Sequence, residues 1–355
     1  MKTILISTSS LWNCGDDFIR NGVLNLLNLK SDVRTIWWNR AYGVRSAFAN
    51  DLKLNVRHCD YFVVAGTPAW INRTEYIYRY CLKNSIPIAL IGVGSRGGIW
   101  NFRQKNLLRK LAESGLVEVC MVRDEFALET LKEYGFDDVT LILDPAFFVT
   151  PLATNDSVNI LGWRDYIVPE KIKIRDYTKR TLERARGKHR EFRTFVKWYD
   201  HFMQDIFHRL SSPKLVVVHD NREIKRAEEL FGKEYVFYST DYREIFKIYS
   251  AAKTYIGSRI HGAIPSVVHG ACVNLLYLID KAHVFENSAE ILSKYDVGIK
   301  NSMKVVYIKN RDVSFPQDFV DTTPDRNAIR LALEQEKVNI QKILKKGKVL
   351  STFLK

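Results

Sequence analysis

Residues 253–281 read KTYIGSRIHGAIPSVVHGACVNLLYLIDK. Thr254–Gly257 is a short apolar run ending on glycine, a short helix opens at Ser258, and Cys272–Tyr277 is apolar again. The stretch therefore reads as strand, tight turn, helix and strand, closed by the pair Asp280-Lys281. The turn sets Arg259 and His261 at the start of a helix, just past the carboxyl end of a buried strand. Open parallel sheets bind ligands at that edge, and a helix amino terminus favours anions. A permanent cation two residues from a group that titrates near neutrality suits a phosphorylated substrate that needs a proton moved. As residue types alone, Arg259 capping or pairing locally and His261 sitting satisfied in its helix are an even alternative. The strand-to-helix context tips the reading toward function.

Working outward, the second half of the chain repeats this rhythm. Strands are expected at Val158–Gly162, Leu215–His219, Tyr235–Tyr238 and Lys304–Ile308, with helices at Glu191–Leu210, Glu223–Phe231 and Tyr242–Ala251. Arg164 follows the first of these strands and so lies at the same ligand-binding edge. His219-Asp220 ends another strand there and is a secondary candidate. His201 and His208 stand seven apart on a helix, a spacing for packing or surface rather than metal ligation. No metal site is expected. A last helix runs from about Pro324 to Lys346, with Thr323 as its cap, Pro324 as its first residue, and Ile329, Leu333, Ile340 and Leu344 as its apolar stripe.

The first half alternates with little ornament. Strands Thr3–Thr8, Val33–Trp38, Tyr61–Ala65, Ile88–Gly92, Val117–Val122 and Val139–Leu143 are near-continuous apolar runs, as expected where helices cover both sheet faces. Helices are expected near Asp17–Leu29, Thr74–Asn84, Arg103–Ser114 and Glu125–Tyr134. The loops after strands hold the candidates: Gly15 and Asp16, then Gly66 and Thr67, then Gly94 and Ser95. Glycine there lets backbone N–H groups approach a ligand, although a plain turn is the commoner use, and the dinucleotide fingerprint is absent. Asp124 is a natural helix cap, and a local ion pair is the favoured account of Arg123. Asp144 either faces the cleft or makes the Asp-Pro turn that stops its strand.

The chain has 355 residues, 46% of them hydrophobic, enough for two full cores. A net charge of +14 points to an anionic partner. Five scattered cysteines show no paired spacing, which suggests a reduced, cytoplasmic setting. Met1–Ser7 does not read as a signal peptide and no apolar run reaches spanning length. Residues 170–193 are strongly basic and read as a mobile segment or exposed helix. A solvated face is favoured there over a site that gathers a polyanionic acceptor or rests on anionic lipid. The polar run 150–157 divides the chain. The expected organisation is α/β: two Rossmann-like doubly wound parallel-sheet domains, 1–152 and 157–320, facing a cleft in a GT-B-like arrangement. Helix 323–346 packs back on the body.

The ordered set NCGD (13–16), AGT (65–67), GVG (92–94), VRD (122–124), DPAF (144–147), GSRIHG (257–262) and Asp280-Lys281 resembles the polysaccharide pyruvyl transferase family. SRIHG is its most telling piece. The resemblance implies transfer from phosphoenolpyruvate to sugar hydroxyls, usually closing a pyruvate ketal with release of phosphate and needing no cofactor. It implies that Arg259 and His261 meet the donor with Arg164, with Ser258 and Lys281 beside them, and that the first domain takes a glycan or lipid-linked sugar acceptor. The chain departs from the family pattern in its short glycine run at Gly66 and in Phe126, where a serine is common. Two other readings stand beside this one: a nucleotide-sugar glycosyltransferase of the same architecture, and a non-catalytic binder of acidic polymer or nucleic acid through 171–193. The last ranks lowest, since only Tyr177 and Phe192 interleave those basic residues. Oligomeric state is left open.

Overall fold

The computed structural model describes residues 2–7, 14–38, 57–67, 75–94, 102–150, 157–165, 179–277, 282–308 and 311–355. The first sheet is built from β1 (Thr3–Ser7), β2 (Arg34–Trp38), β3 (Tyr61–Thr67), β4 (Ile88–Val93), β5 (Val117–Val122) and β6 (Val139–Leu141), in the order β2-β1-β3-β4-β5-β6. The second is built from β7 (Val158–Gly162), β8 (Lys214–Val217), β9 (Val236–Phe237), β10 (Ala252–Gly257), β11 (Cys272–Tyr277) and β12 (Met303–Tyr307), in the order β12-β11-β10-β7-β8-β9. Every pairing is parallel. These are the two Rossmann-like, doubly wound sheets of the expected GT-B-like class. The second sheet has the dinucleotide-fold strand order, with its switch point between β7 and β10, where ligand crevices form.

The reason lies in two-sided burial. In β1, Ile4 and Ile6 join one apolar cluster while Leu5, between them, joins the other, and all three are buried. β3 does the same, with Val63 on one face and Phe62 and Val64 on the other. Helices cover these faces: α1 (Cys14–Leu27), α2 (Glu75–Asn84), α3 (Phe102–Glu113) and α4 (Glu125–Glu133) in the first half, then α5 (Lys179–Arg209), α6 (Ile224–Phe231), α7 (Tyr242–Ser250), α8 (Ile260–Val268), α9 (Ala282–Ser293) and α10 (Val297–Asn301). The halves meet along one apolar seam, where Phe18 of α1 stands edge-on to Tyr242 and Phe246 of α7. No helix among the described residues is long and apolar enough to cross a membrane.

Several expectations need correcting. α1 begins at Cys14, so Gly15 and Asp16 occupy its first turn and not a loop before it, with Asp16 and Asp17 facing the positive end of the helix. β3 runs on through Gly66 to Thr67. α5 begins at Lys179, so the later part of the basic stretch takes the helix alternative, and it is continuous with the aromatic helix expected to start at Glu191. α8 begins at Ile260, with Arg259 as its cap. The last helix, α11 (Arg326–Leu344), starts beyond Thr323 and Pro324, because the Asp325 carboxylate accepts from the Asn327 amide and caps it. Its stripe Ile329, Leu333, Ile340 and Leu344 is buried as expected. Helices α9 and α10 were not anticipated, nor was the tail, which returns to the first half. There Glu118 accepts from the Val349 and Leu350 amides, and Leu354 bridges Leu29.

The Pro145–Phe148 turn is clamped against α1. A Cβ on Gly22 would lie 1.7 Å from the Pro145 carbonyl oxygen. Gly22→Ala is therefore expected to destabilise the fold by about 1–3 kcal/mol, the helix preference for alanine notwithstanding. An unchanged urea midpoint for this variant would mean that α1 and the turn are not locked together.

Candidate active site at the seam between the sheets

β7 and β10 run in register with Gly162 opposite Gly257, and both strand ends need glycine. A Cβ on Gly257 would lie 2.4 Å from the Gly162 carbonyl oxygen, and one on Gly162 would lie 2.1 Å from the Tyr255 hydroxyl. That hydroxyl donates to the Arg259 carbonyl at 2.8 Å and so holds the turn. The Ser258 amide donates to the Gly162 carbonyl at 3.2 Å. Arg259 takes extended dihedrals, φ −100° and ψ 102°, before α8 begins. The Ser258 hydroxyl lies 3.3 Å from that of Tyr199 on α5, which ties it to the scaffold.

The Arg259 side chain, 15% exposed, makes a hydrogen-bonded ion pair with Glu223. The other Glu223 oxygen accepts from the His219 amide at 3.3 Å. His219 is buried beside them, with Nε2 2.6 Å from the Tyr249 hydroxyl. Burial, and then the positive charges of Arg259, His261 and Arg164, hold its pKa well below the ordinary 6.5, so it is neutral at physiological pH. Arg259 and Arg164 also act on Glu223, whose carboxyl burial nonetheless pushes up. Because Gly162 and Gly257 are paired, Arg164 past the end of β7 and Arg259 and His261 past the end of β10 leave adjacent strand ends at the switch point. His219, the secondary candidate, lies among them as a buried support.

His261 looks toward the other half. Its Nε2 lies 3.7 Å from Oδ2 of Asp144. Asp144 is fully buried; Oδ1 accepts from the Ala146 amide at 2.9 Å, and Oδ2 pairs with Arg123. Burial alone would raise that carboxyl, but Arg123, His261 and the Ala146 amide outweigh it and hold it below the usual carboxylate range. The expected local ion pair of Arg123 is thus corrected: its partner is 21 residues away. Asp124 does cap α4, accepting from the Ala127 amide at 2.8 Å. Both alternatives for Asp144 hold at once, one oxygen making the turn and the other facing the seam. Gly94 makes room for this corner, since a Cβ there would lie 2.6 Å from Asp124 Oδ2 and 3.0 Å from Arg123 Nε.

At the start of α1, burial pushes the Cys14 thiol up, while Arg259 draws it down and Asp17 and Asp16 raise it further. At Gly66, where φ is +34°, a Cβ would lie 3.0 Å from the Ile19 side chain of α1 and 3.3 Å from the Gly92 carbonyl oxygen. Thr67 ends β3. Ser95 and Lys281 lie outside the described residues, as do Asn13 and Asp280. The sequence offered no signal for Glu223, which reads only as a helix start, or for Tyr249 and Tyr255, which read as core.

No curated protein matches the chain. Among solved structures it is similar to the S. aureus MnaA–UDP co-structure, at 10% identity and a TM-score of 0.49 over 96% of this chain and 98% of that one. It is also similar to UDP-GlcNAc 2-epimerase from Neisseria meningitidis bound to UDP-GlcNAc, at 9% identity and a TM-score of 0.49 over 94% and 99%. The UDP-GlcNAc 2-epimerase from Methanocaldococcus jannaschii stands at 10% identity, with a TM-score of 0.49 over 94% and 99%. Likenesses this distant decide nothing about chemistry, and the architecture rests on strand order. Residues 13–277 match the family described as polysaccharide pyruvyl transferase. That match takes in about three quarters of the chain, including both edges of the seam, and the chain belongs to the polysaccharide pyruvyl transferase family.

Proposed function

We propose that the protein transfers the enolpyruvyl group of phosphoenolpyruvate to sugar hydroxyls of a polysaccharide or glycan precursor and closes a pyruvate ketal. The observation that carries this reading is that Arg164 and the Arg259–His261 pair follow the paired ends of β7 and β10 at the switch point. Two guanidinium groups suit the carboxylate and phosphate of a small, doubly acidic donor. His261 supplies a group able to carry a proton or to contact the phosphate. A proton adds to the donor's methylene carbon, and positive character develops at its central carbon. A sugar oxygen bonds there and releases its proton. The carbon–oxygen bond to phosphate then breaks, and a second hydroxyl, losing its own proton, closes the ring. Atoms balance as donor plus two hydroxyls giving ketal plus phosphate.

We assign the acceptor side to the first half, with Gly15 and Asp16 in the first turn of α1 and Gly94 beside Arg123 and Asp124 as its candidate residues. Phe126, at the position where family members often carry serine, is 47% exposed and stands edge-on to His283, 5.7 Å between centroids. Its ring offers an apolar face to a sugar. Arg193 and Lys197 are exposed on α5. With the basic residues before them they would suit a lipid-linked acceptor at an anionic cytoplasmic membrane surface.

The test is phosphate release from phosphoenolpyruvate with a pyranoside acceptor, beside a thermal-shift comparison with UDP-sugars. Phosphoenolpyruvate at 100 times its Kd should stabilise the fold by about 2.7 kcal/mol, and His261→Ala should release no phosphate. Stabilisation by a UDP-sugar with indifference to phosphoenolpyruvate would replace this reading with a glycosyltransferase.

A further inference from the structure

An aromatic row crosses from one half of the molecule to the other. Phe126, in the first turn of α4, stands edge-on to His283, in the first turn of α9. His283 stands edge-on to Tyr277 at the end of β11, 5.9 Å between centroids, and Tyr277 tilts against Tyr307 at the end of β12 at 4.8 Å. We propose that this row is a subsite for a glycan chain: Phe126 and Tyr307 stack on its pyranose rings, and Glu286 accepts from its hydroxyls. The proposal rests on the pyruvyl-transfer reading for calling this glycan the acceptor, but not for its binding here.

The row adjoins the strand ends that carry the candidate site on both halves. β11 lies beside β10 with Leu275 paired to Gly257, so Tyr277 ends its strand at the sheet edge from which Arg259 and His261 leave. Tyr277 pairs in turn with Tyr307 of β12. Parallel sheets bind ligands at this edge. In the first half, Phe126 stands three residues past Arg123, whose partner Asp144 has an oxygen 3.7 Å from His261 Nε2.

Its chemistry fits a sugar. Tyr307 is 50% exposed and Phe126 nearly as much, and clustered open rings mark binding surfaces. Glu286 holds the second-half rings: one oxygen accepts from the Tyr307 hydroxyl, and the other lies 3.2 Å from His283 Nδ1. The bond to Glu286, and then burial, push the Tyr307 phenol up to about 12, so it keeps its proton. A carboxylate has about four lone-pair positions, so Glu286 retains capacity for hydroxyl donors. A pyranose alternates apolar C–H faces with hydroxyl edges and uses both features. An acyl chain or an apolar helix would cover the rings but desolvate Glu286 without recompense. The flattest C–H faces belong to pyranoses with equatorial hydroxyls, and a β-linked chain of these is the class assigned.

The test is isothermal titration of the full chain with cellotetraose and chitotetraose, and with methyl β-glucoside and N-acetylglucosamine as their single units, all without phosphoenolpyruvate. At least one tetrasaccharide should bind about tenfold tighter than its single unit. Phe126→Ala and Tyr307→Ala should each weaken that tetrasaccharide by about tenfold, whereas Tyr307→Phe, which keeps the ring, should hold most of the affinity. Failure of both tetrasaccharides to bind, or undiminished binding in either alanine variant, would overturn the proposal. Phosphate release separates it from the reading beneath. If a tetrasaccharide binds at the row but phosphoenolpyruvate is no donor, the subsite stands and pyruvyl transfer falls. If phosphoenolpyruvate is a donor and neither tetrasaccharide binds, the subsite alone falls.

Discussion

Arg259→Ala is expected to lose phosphate release by two to four orders of magnitude and to destabilise the fold at the same time. The first effect follows from the contact. A guanidinium gripping an anion through two charge-assisted hydrogen bonds gives about 1.5–3 kcal/mol for each, and each 1.36 kcal/mol is a factor of about ten in rate. The second follows from Glu223. With its side chain 7% exposed, it would be left as a buried carboxylate without its cation, a loss of about 3–5 kcal/mol. The pH dependence separates the two. Glu223 already has a folded pKa above the ordinary 4.5, because burial outweighs Arg259. An acid raised in this way opposes folding above its folded pKa and ceases to do so as the pH falls through it. The stability deficit of Arg259→Ala should therefore be largest near pH 8 and shrink toward pH 5 in urea titrations. Arg259→Ala combined with Glu223→Gln should recover stability without recovering activity. A deficit that does not vary with pH would count against the Glu223 pairing, and full activity in Arg259→Ala would end the donor-binding role.

Arg123→Ala should be the most destabilising change at the seam that touches no donor-facing residue. Asp144 is wholly buried, and removing its cation is expected to cost about 3–5 kcal/mol. The sign of the acid effect is opposite to that of Glu223. In the wild-type protein the Asp144 carboxyl lies below the ordinary 3.8, since Arg123, His261 and the Ala146 amide outweigh its burial. A depressed acid stabilises the fold fully above its unfolded pKa and loses that contribution as the pH falls through the folded value. The wild-type protein should keep this contribution down to about pH 4 and lose it only below. In Arg123→Ala the strongest lowering partner is gone and burial dominates, so the acid transition should begin closer to neutrality. Urea midpoints between pH 3 and pH 7 would show it, and identical acid profiles for the two proteins would refute the pairing.

The seam shows how much of this corner a reading of the sequence could hold. Arg123, Asp124 and Asp144 each have a good local explanation, in an ion pair, a cap and a turn, with the cleft an equal alternative for Asp144; Asp124 and Asp144 do perform the cap and the turn. What was hidden is that Asp144 has a second oxygen to use, and that its partners lie 21 residues before it and in the opposite half of the chain. Glu223 was hidden differently. It reads as the ordinary first acid of a helix, and only the packing of β8 beside β7, and of β7 beside β10, brings it under Arg259. The Gly15-Asp16 turn was misplaced by a few residues, because two acids after a glycine fit a helix's first turn as well as the loop before it.

The amino-acid order by itself settled the alternation of strand and helix, since runs such as Ile4–Ile6 and Val63–Ala65 are apolar on both faces and can only be covered from two sides. It also settled that Arg164, Arg259 and His261 stand just past strand ends, because glycine and helix-start signals are local. The tertiary structure alone decided which charge meets which. Carboxylates, guanidinium groups and imidazoles act over a few ångströms in space and carry no mark of their distance along the chain, so their pairing follows strand order and the meeting of the two halves.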